Sequence, residues 1–319
     1  MAAEQTQTVV PALAPAVPAV SEGHQSRGRS TIPAQLVAYG VVLLVSFISL
    51  FPLYWMVINS FRQDADITAG VSLWPEGGVF HLSNYSNAWT GLAWPFQVYL
   101  VNSFMLSVAV VIGTVLSCTA VAYGFARFRF PGREWLFAIV ISTMMIPYVV
   151  TLIPQYAEFI NIFGWGSGGH ILFWDNFFQF FPQIVPAFFA SPVWIFLLRQ
   201  FIRSIPFDLD EAAKIDGAGP LRILWKIIVP EIRPALAAVI VLNFIGKWND
   251  LLGPLIYLKD PKNWTIELAL IGYEGRYGSG TNWGEMMAMS LVAMTPILIV
   301  YFFASKQIIQ GVTLSGVKG

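Results

Sequence analysis

Two small groups of residues in this chain carry chemistry, and neither is built to make or break bonds. Lys247 and Asp250, three apart, are the only charged residues in the apolar run that follows Pro234, and Asn243 shares their helical face four residues before the lysine. At 1.5 Å per residue, Lys247 stands about 20 Å along a helix that begins at Pro234, within a hydrocarbon core about 30 Å thick. Ionisable groups at that depth are costly and face an aqueous cavity or a partner. The trio fits two roles: the polar wall of a translocation path, or a structural pair tying this span to its neighbours or to the outer headgroups. The second group surrounds Glu211, in the longest strongly charged patch of the chain. Beside it, Ala212 and Ala213 are too small to fill a core pocket and permit another protein's surface to come close. No G-x-x-x-x-G-K-[ST] run is present to cradle phosphates. Nor do Ser, His and Asp, or metal ligands, fall at usable spacing, so no catalytic, cofactor or metal residue is assigned. His24, His81 and His170 read as surface histidines and the single Cys118 as a small packing residue.

Two short helices must position Glu211. Asp208 can cap the first, with Glu211 three residues on as the reciprocal partner of a capping box, and Gly217 ends it. The second opens with Pro220 in its first turn and runs to Pro230. Along it Leu221, Leu224, Trp225 and Ile228 fall at i, i+3, i+4 and i+7, an apolar stripe expected to lie against the membrane-embedded body. An amphipathic helix resting on lipid would also explain the charges and the stripe. It would not require the whole set of Glu-Ala-Ala, Gly and Pro spacings at once.

That set, Glu211-Ala212-Ala213, then Gly217, then Ile227-Ile228-Val229-Pro230, resembles the EAA loop of the permease subunits of binding-protein-dependent ABC importers. The Asp216-Gly217-Ala218 variant resembles the carbohydrate branch, and more narrowly the G-type maltose permease subunits. Val229 departs from the usual Leu by one methylene on the same apolar face. GKWNDLLGPLIYL, the stretch from Trp264 to Ala288 and the ending KQIIQGVTLSGVKG carry the likeness from about residue 34 to Gly319. The resemblance implies that Glu211, Ala212, Ala213, Asp216, Gly217 and Pro230 couple the permease to an ATPase. It implies as partners a sister permease in a heterodimer, two ABC ATPase subunits that hold ATP and magnesium, an extracytoplasmic sugar-binding protein and membrane lipid. This chain would then bind no cofactor and would not itself be an enzyme. The implied mechanism is alternating access, in which ATP closes the ATPase pair, the helix carrying Glu211 moves with it and the spans open toward the docked binding protein.

Composition fits a membrane chain: 319 residues, 56% hydrophobic and only 11% charged, with a mean hydropathy of +0.64. A formal net charge of zero argues against nucleic acid as a partner. Residues 1–33 read as a disordered tail. Six spans follow, near Gln35–Ile58, Val98–Tyr123, Trp135–Ile153 and Ile184–Phe201, then from Pro234, and last near Met286–Ala304. Pro147, Pro182, Pro186 and Pro192 predict kinks in the third and fourth. Ser103, Ser107, Thr114 and Ser117 form a small-residue stripe on the second, suited to close packing of helices or to lining a polar path. With the N-terminus in the cytoplasm, thirteen Lys and Arg fall in cytoplasmic segments against four outside, with Lys247 inside a span. The positive-inside rule thus sets both termini and the Glu211 loop in the cytoplasm, and the resemblance implies that the membrane is a prokaryotic inner membrane.

The expected fold class is therefore all-α, a six-span polytopic permease of the type I importer kind. The expected domains are the tail over 1–33 and a permease domain over 34–319, with its coupling loop at about 204–233. The expected function is translocation of a sugar, oligosaccharide or polyol. The rival class is a secondary transporter driven by an ion gradient, which needs acidic relays within its spans; Asp250 is the one candidate.

Overall fold

The computed structural model describes residues 32–163, 179–273 and 282–315, with side chains described over 35–161, 179–273 and 282–304. The expected N-terminal tail, the loop holding Trp165, Gly168, Gly169, His170, Trp174 and Asp175, and the final residues to Gly319 lie wholly or mostly outside them. Every regular element among the described residues is helical.

Contacts divide the chain after Phe51. The first unit holds the opening part of α1 (Ile32–Asn59), 28 residues long. From Gln35 to Phe51 its side chains are uncharged and exposed, a surface that is stable where lipid replaces water.

The second unit is organised on α4 (Phe96–Arg127), 32 residues long. Tyr99, Ser103, Ser107, Val110, Thr114, Cys118, Ala122 and Ala126 recur every three or four residues and are buried, which is one helical face. Because most of these side chains are small, α8 (Pro192–Ser204) and α11 (Arg233–Trp248) pack closely on it. Most of the polar stripe read from the sequence serves this packing, while Thr114 also lines a cavity. Ser103 Oγ accepts the Ile266 N–H at 2.7 Å, and Ser117 Oγ donates to the Ala187 carbonyl at 2.9 Å. Thr114 is buried in the same face. At Gly113 a Cβ would stand 2.7 Å from the Phe188 ring, so the approach there requires glycine.

Among the described residues, four helical stretches are long and apolar enough to cross a membrane, and the number rises to six when each of two bent pairs is taken as one span. The four are Gln35–Asn59, Phe96–Arg127, Phe181–Ser204 and Trp283–Ala304. The expected third span is not a single helix. α5 (Arg133–Ser142) runs into a 3-10 turn at Thr143–Met145, and α6 (Tyr148–Phe163) then leaves at 98°. The cause is Pro147, whose ring disfavours helical geometry at the residue before it; Ile146 is extended, at φ −80° and ψ 116°. The expected fourth span also changes character along its length. α7 (Phe181–Ile184) passes into a 3-10 segment, Val185–Phe189, and Ala190 takes φ 65° before α8 begins.

The stretch between α1 and α4 is ordered. It contains α2 (Asp64–Ala69) and α3 (Ser83–Gly91), and Arg62 within it is only 1% exposed. The Arg62 guanidinium donates to Asn59, to the Asp66 carbonyl and to Glu76, and the bond to Glu76 holds that carboxyl below its usual pKa. The loop before the last span is likewise structured: α13 (Ile266–Ile271) buries Ile266, Leu268 and Ala269 against α4 and α14 (Trp283–Ser315).

Candidate functional site

The Glu211 helix is α9 (Asp208–Ile215). No capping box forms at its start. Phe207 is already in helical geometry, and its carbonyl accepts the N–H groups of Asp210 and Glu211 at 2.9 and 3.1 Å. The helix therefore begins one residue earlier than the box requires, and Asp208 becomes a first-turn residue. There Asp208, Asp210 and Glu211 face the positive end of the helix dipole. The C-terminus ends as expected. Gly217, at φ 77°, turns the chain, while its N–H reaches the Lys214 carbonyl at 3.0 Å and the Ala218 N–H reaches that of Ala213 at 2.9 Å. This is the paired closure that favours glycine.

Glu211, Ala212, Asp216 and Gly217 are exposed, whereas Ala213 is buried in this chain's own core with Ile205, Ile223 and Ile228. The two alanines thus do different work: Ala213 seats the helix, and Ala212 keeps its outer surface low. A cleft of about 280 Å³ lies beside them, lined by Ala213, Asp216, Ala218, Arg222, Lys226 and Ile227.

The second helix, α10 (Pro220–Glu231), meets α11 at a bend of 80°. Pro230, half-buried, and Pro234 flank the bend at Ile232 and withhold two N–H groups from it. The expected apolar stripe is only half correct. Leu224 and Ile228 are buried, but Leu221 is 73% and Trp225 50% exposed, and Ile223 takes the inward place. The inward face is instead Ile223, Leu224 and Ile228, with Ile227 half-buried beside them, and a π-turn spans Leu224–Ile228.

One anchor of this loop escaped the sequence reading. Asp210, adjacent to Glu211, is 3% exposed, and its Oδ2 stands 3.1 Å from Nε of Arg127 at the end of α4. Arg127 Nη2 donates to the Ile205 carbonyl at 3.1 Å, and the guanidinium lies 4.4 Å from the centre of the Phe207 ring. A second buried arginine, Arg199 of α8, donates to both carboxylate oxygens of Glu134 at 2.9 and 2.8 Å and lies over Phe137. Together the pairs fasten α9 to α4 and α5 to α8.

Asn243, Lys247 and Asp250 come together on a cavity of about 380 Å³ inside the helix bundle. Lys247 Nζ lies 2.6 Å from Asp250 Oδ2 and donates to Gln183 Oε1 at 2.8 Å. Asp250 Oδ1 in turn accepts the Gly253 N–H at 3.1 Å. The fold brings Gln183 from α7 and Tyr148 from α6 to the same wall, along with Trp194 of α8 and Tyr257 of α12 (Leu252–Tyr257). The helix break at Asn249 to Leu251 leaves Asp250 free to fold back on Lys247.

Gly253 is required by that close fit, since a Cβ there would stand 2.6 Å from Asp250 Oδ2 and 2.9 Å from Gln183 Oε1. Gly253→Ala is expected to push the carboxylate off Lys247 and cost about 1 to 3 kcal/mol, the range for a buried polar group left short of partners. A lowered thermal midpoint of the purified protein checks this, and an unchanged midpoint would show that the network has slack.

A model of the binding-protein-dependent transport system inner membrane component family matches residues 109–313. The chain belongs to this family. It is 29% identical to the diacetylchitobiose uptake system permease protein of Streptomyces coelicolor, over 87% of each chain. It is also 29% identical to the sn-glycerol-3-phosphate transport system permease protein of Yersinia pestis, over 86% of this chain and 93% of that one. Among solved structures, a bacterial ABC transporter involved in import of the acidic polysaccharide alginate superposes with a TM-score of 0.70 at 22% identity, covering 87% of this chain and 97% of its own. The fold is thus the type I importer-permease fold, and this family member is a multi-pass membrane permease subunit of an ABC importer.

Proposed function

We propose that this chain is one of two unlike permease subunits of an importer that takes a saccharide or polyol from an extracytoplasmic binding protein and is driven by two separate ATPase subunits. The observation that carries it is the joint presence of an open cavity that holds the Asn243, Lys247 and Asp250 cluster and an exposed carboxylate, Glu211, on a short helix fastened to the same bundle. The saccharide-transporting relatives and the alginate importer support the substrate class. Asn243, Lys247 and Asp250 form part of the translocation path, and Glu211, Ala212, Asp216 and Gly217 face the ATPase. Ala213 and Pro230 hold that surface in shape. ATP and magnesium belong to the partner subunits. The ion-gradient rival is weakened by the closure of Asp250 on Lys247, because a carboxylate committed to an internal cation is a poor relay for a proton or sodium ion.

The test is co-expression with the ATPase, sister permease and binding protein of the same operon, followed by reconstitution. Saccharide uptake that requires ATP inside the vesicle supports the proposal; uptake driven by an ion gradient without ATP overturns it. Orientation is tested separately. A reporter fused after Gly319 should report cytoplasm and one inserted near Gly168 the outside, and opposite signals would reverse the arrangement.

A further inference from the structure

The link between α4 and α5 carries a site apart from both the cavity and the Glu211 helix. α4 ends at Arg127 and α5 opens at Arg133, so residues 128–132 lie at one end of two apolar stretches and, in a bilayer, at headgroup level. Around this link Arg129, Phe130, Gly132, Arg133, Glu134 and Trp135 line an open recess of about 390 Å³. The surrounding fold holds it in shape. Gly132, at φ 77°, turns the chain, the Phe130 ring lies 6.2 Å from that of Phe125, and Arg133 Nη1 donates to the Phe128 carbonyl at 3.1 Å.

The charge of the recess is positive. Glu134 is met by two guanidiniums: Arg133 Nε donates to its Oε1 at 3.1 Å, and Arg199 reaches both its oxygens from the buried side. Arg129 is exposed and makes no hydrogen bond or ion pair among the described residues. Three guanidiniums against one carboxylate leave two positive charges uncompensated at the edge of a membrane helix.

An apolar strip continues from the recess. Trp135, 72% exposed, stands at its rim, and Leu136 and Ile139, one and four residues on, are exposed along α5. Tryptophan is the residue that settles where hydrocarbon meets headgroups. A cationic recess that opens through a tryptophan onto an uncharged helix face matches an amphiphile, and basic pockets beside membrane helices hold anionic headgroups. A water-soluble partner could meet Arg129, but not a strip that runs on into the span.

We propose that this recess binds one anionic phospholipid, its phosphodiester at Arg129 and Arg133 and its acyl chains along Trp135, Leu136 and Ile139. The lipid thereby neutralises charge beside the Arg199–Glu134 pair, which joins α5 to α8. The inference depends on the chain spanning a bilayer and not on the substrate or energy source proposed above, so its failure leaves that reading intact.

The experiment is native mass spectrometry of the assembled importer, titrated in detergent with phosphatidylglycerol or with phosphatidylethanolamine of the same acyl chains. Phosphatidylglycerol should be retained the more tightly. An arginine near the surface contributes about fivefold to the affinity for anionic lipid. Arg129→Gln, which breaks no contact within the chain, should therefore weaken phosphatidylglycerol binding about fivefold and leave phosphatidylethanolamine unaffected. Arg203→Gln, which removes another exposed arginine in the last turn of α8, should change neither. Equal retention of the two lipids, wild-type phosphatidylglycerol binding in Arg129→Gln, or the same loss in Arg203→Gln, which would mean diffuse attraction, each overturns the inference. Two further outcomes do so as well: displacement of the lipid by free glycerol phosphate, which marks a site for soluble anions, and its loss from the permease pair when the ATPase is added, which marks a protein contact.

Discussion

Asp210→Ala is expected to destabilise the chain by about 3 kcal/mol and to free α9 from α4. Removing one member of a buried ion pair costs about 3 to 5 kcal/mol, because the other charge stays buried without compensation. Arg127 and Asp210 have side chains 2% and 4% exposed, so solvent does little to screen them. The lower end of the range applies because the pair is incompletely satisfied: Asp210 Oδ1 and both Nε and Nη1 of Arg127 make no hydrogen bond among the described residues. After the substitution Arg127 keeps only the Ile205 carbonyl and the Phe207 ring. Thermal unfolding of the purified chain should show the loss, and protease cleavage near Phe207 should accelerate. A double replacement, Arg127→Met with Asp210→Leu, should recover most of the stability, since it removes both buried charges at once. An unchanged midpoint for Asp210→Ala would mean that the pair does not anchor the loop.

Glu211→Ala, one residue away, should do the opposite: spare the chain and damage the complex. Successive helical residues point about 100° apart, so Asp210 turns inward while Glu211 faces out. Glu211 makes no ion pair among the described residues and is exposed, and its removal should change the stability of the isolated chain by no more than about 0.5 kcal/mol. In the assembled importer the same carboxylate is expected to meet a basic ATPase side chain in a partly desolvated contact. Truncating such a pair costs about 2 to 5 kcal/mol, which weakens docking by about thirtyfold or more. Gly217→Pro should act in the same direction by spoiling the turn at φ 77°. Pull-down of the ATPase and saccharide-stimulated hydrolysis in proteoliposomes read the effect. Wild-type values of both with Glu211→Ala would refute the role.

The contrast between these neighbours shows what the sequence could disclose. Glu-Ala-Ala, Gly and Pro at their spacings located two short helices and the turn between them, because turn residues act over three or four positions. Asp210 was hidden inside an acidic patch that looks like a solvated face, and its partner Arg127 is reached only through the tertiary fold. The π-turn at Leu224–Ile228 was equally invisible, since its cause is not a residue type but a shift in hydrogen bonding. Long apolar runs revealed α1, α4 and α14 well, yet hydropathy sums a stretch without regard to direction. Pro147 therefore announced a kink but not a bend of 98°. In the cavity, Lys247, Asp250 and Asn243 were legible by their rarity in an apolar run. Gln183 and Tyr257 were not, because one amide and one phenol at the edges of apolar segments carry no periodic signal.

Cys118, the chain's single cysteine, has a use beyond packing. It is fully buried on α4, and its sulfur accepts the Ser191 N–H at 3.1 Å, immediately after the strained Ala190 and before α8. The thiol thus sits in the seam between two membrane helices that would have to shift against each other if the cavity is to open alternately to the two sides. An unaltered protein consequently carries a native reporter. Its rate of alkylation by a membrane-permeant maleimide, read by mass on the peptide holding residue 118 and compared between resting and transporting complexes, would report the parting of that seam without any engineered label.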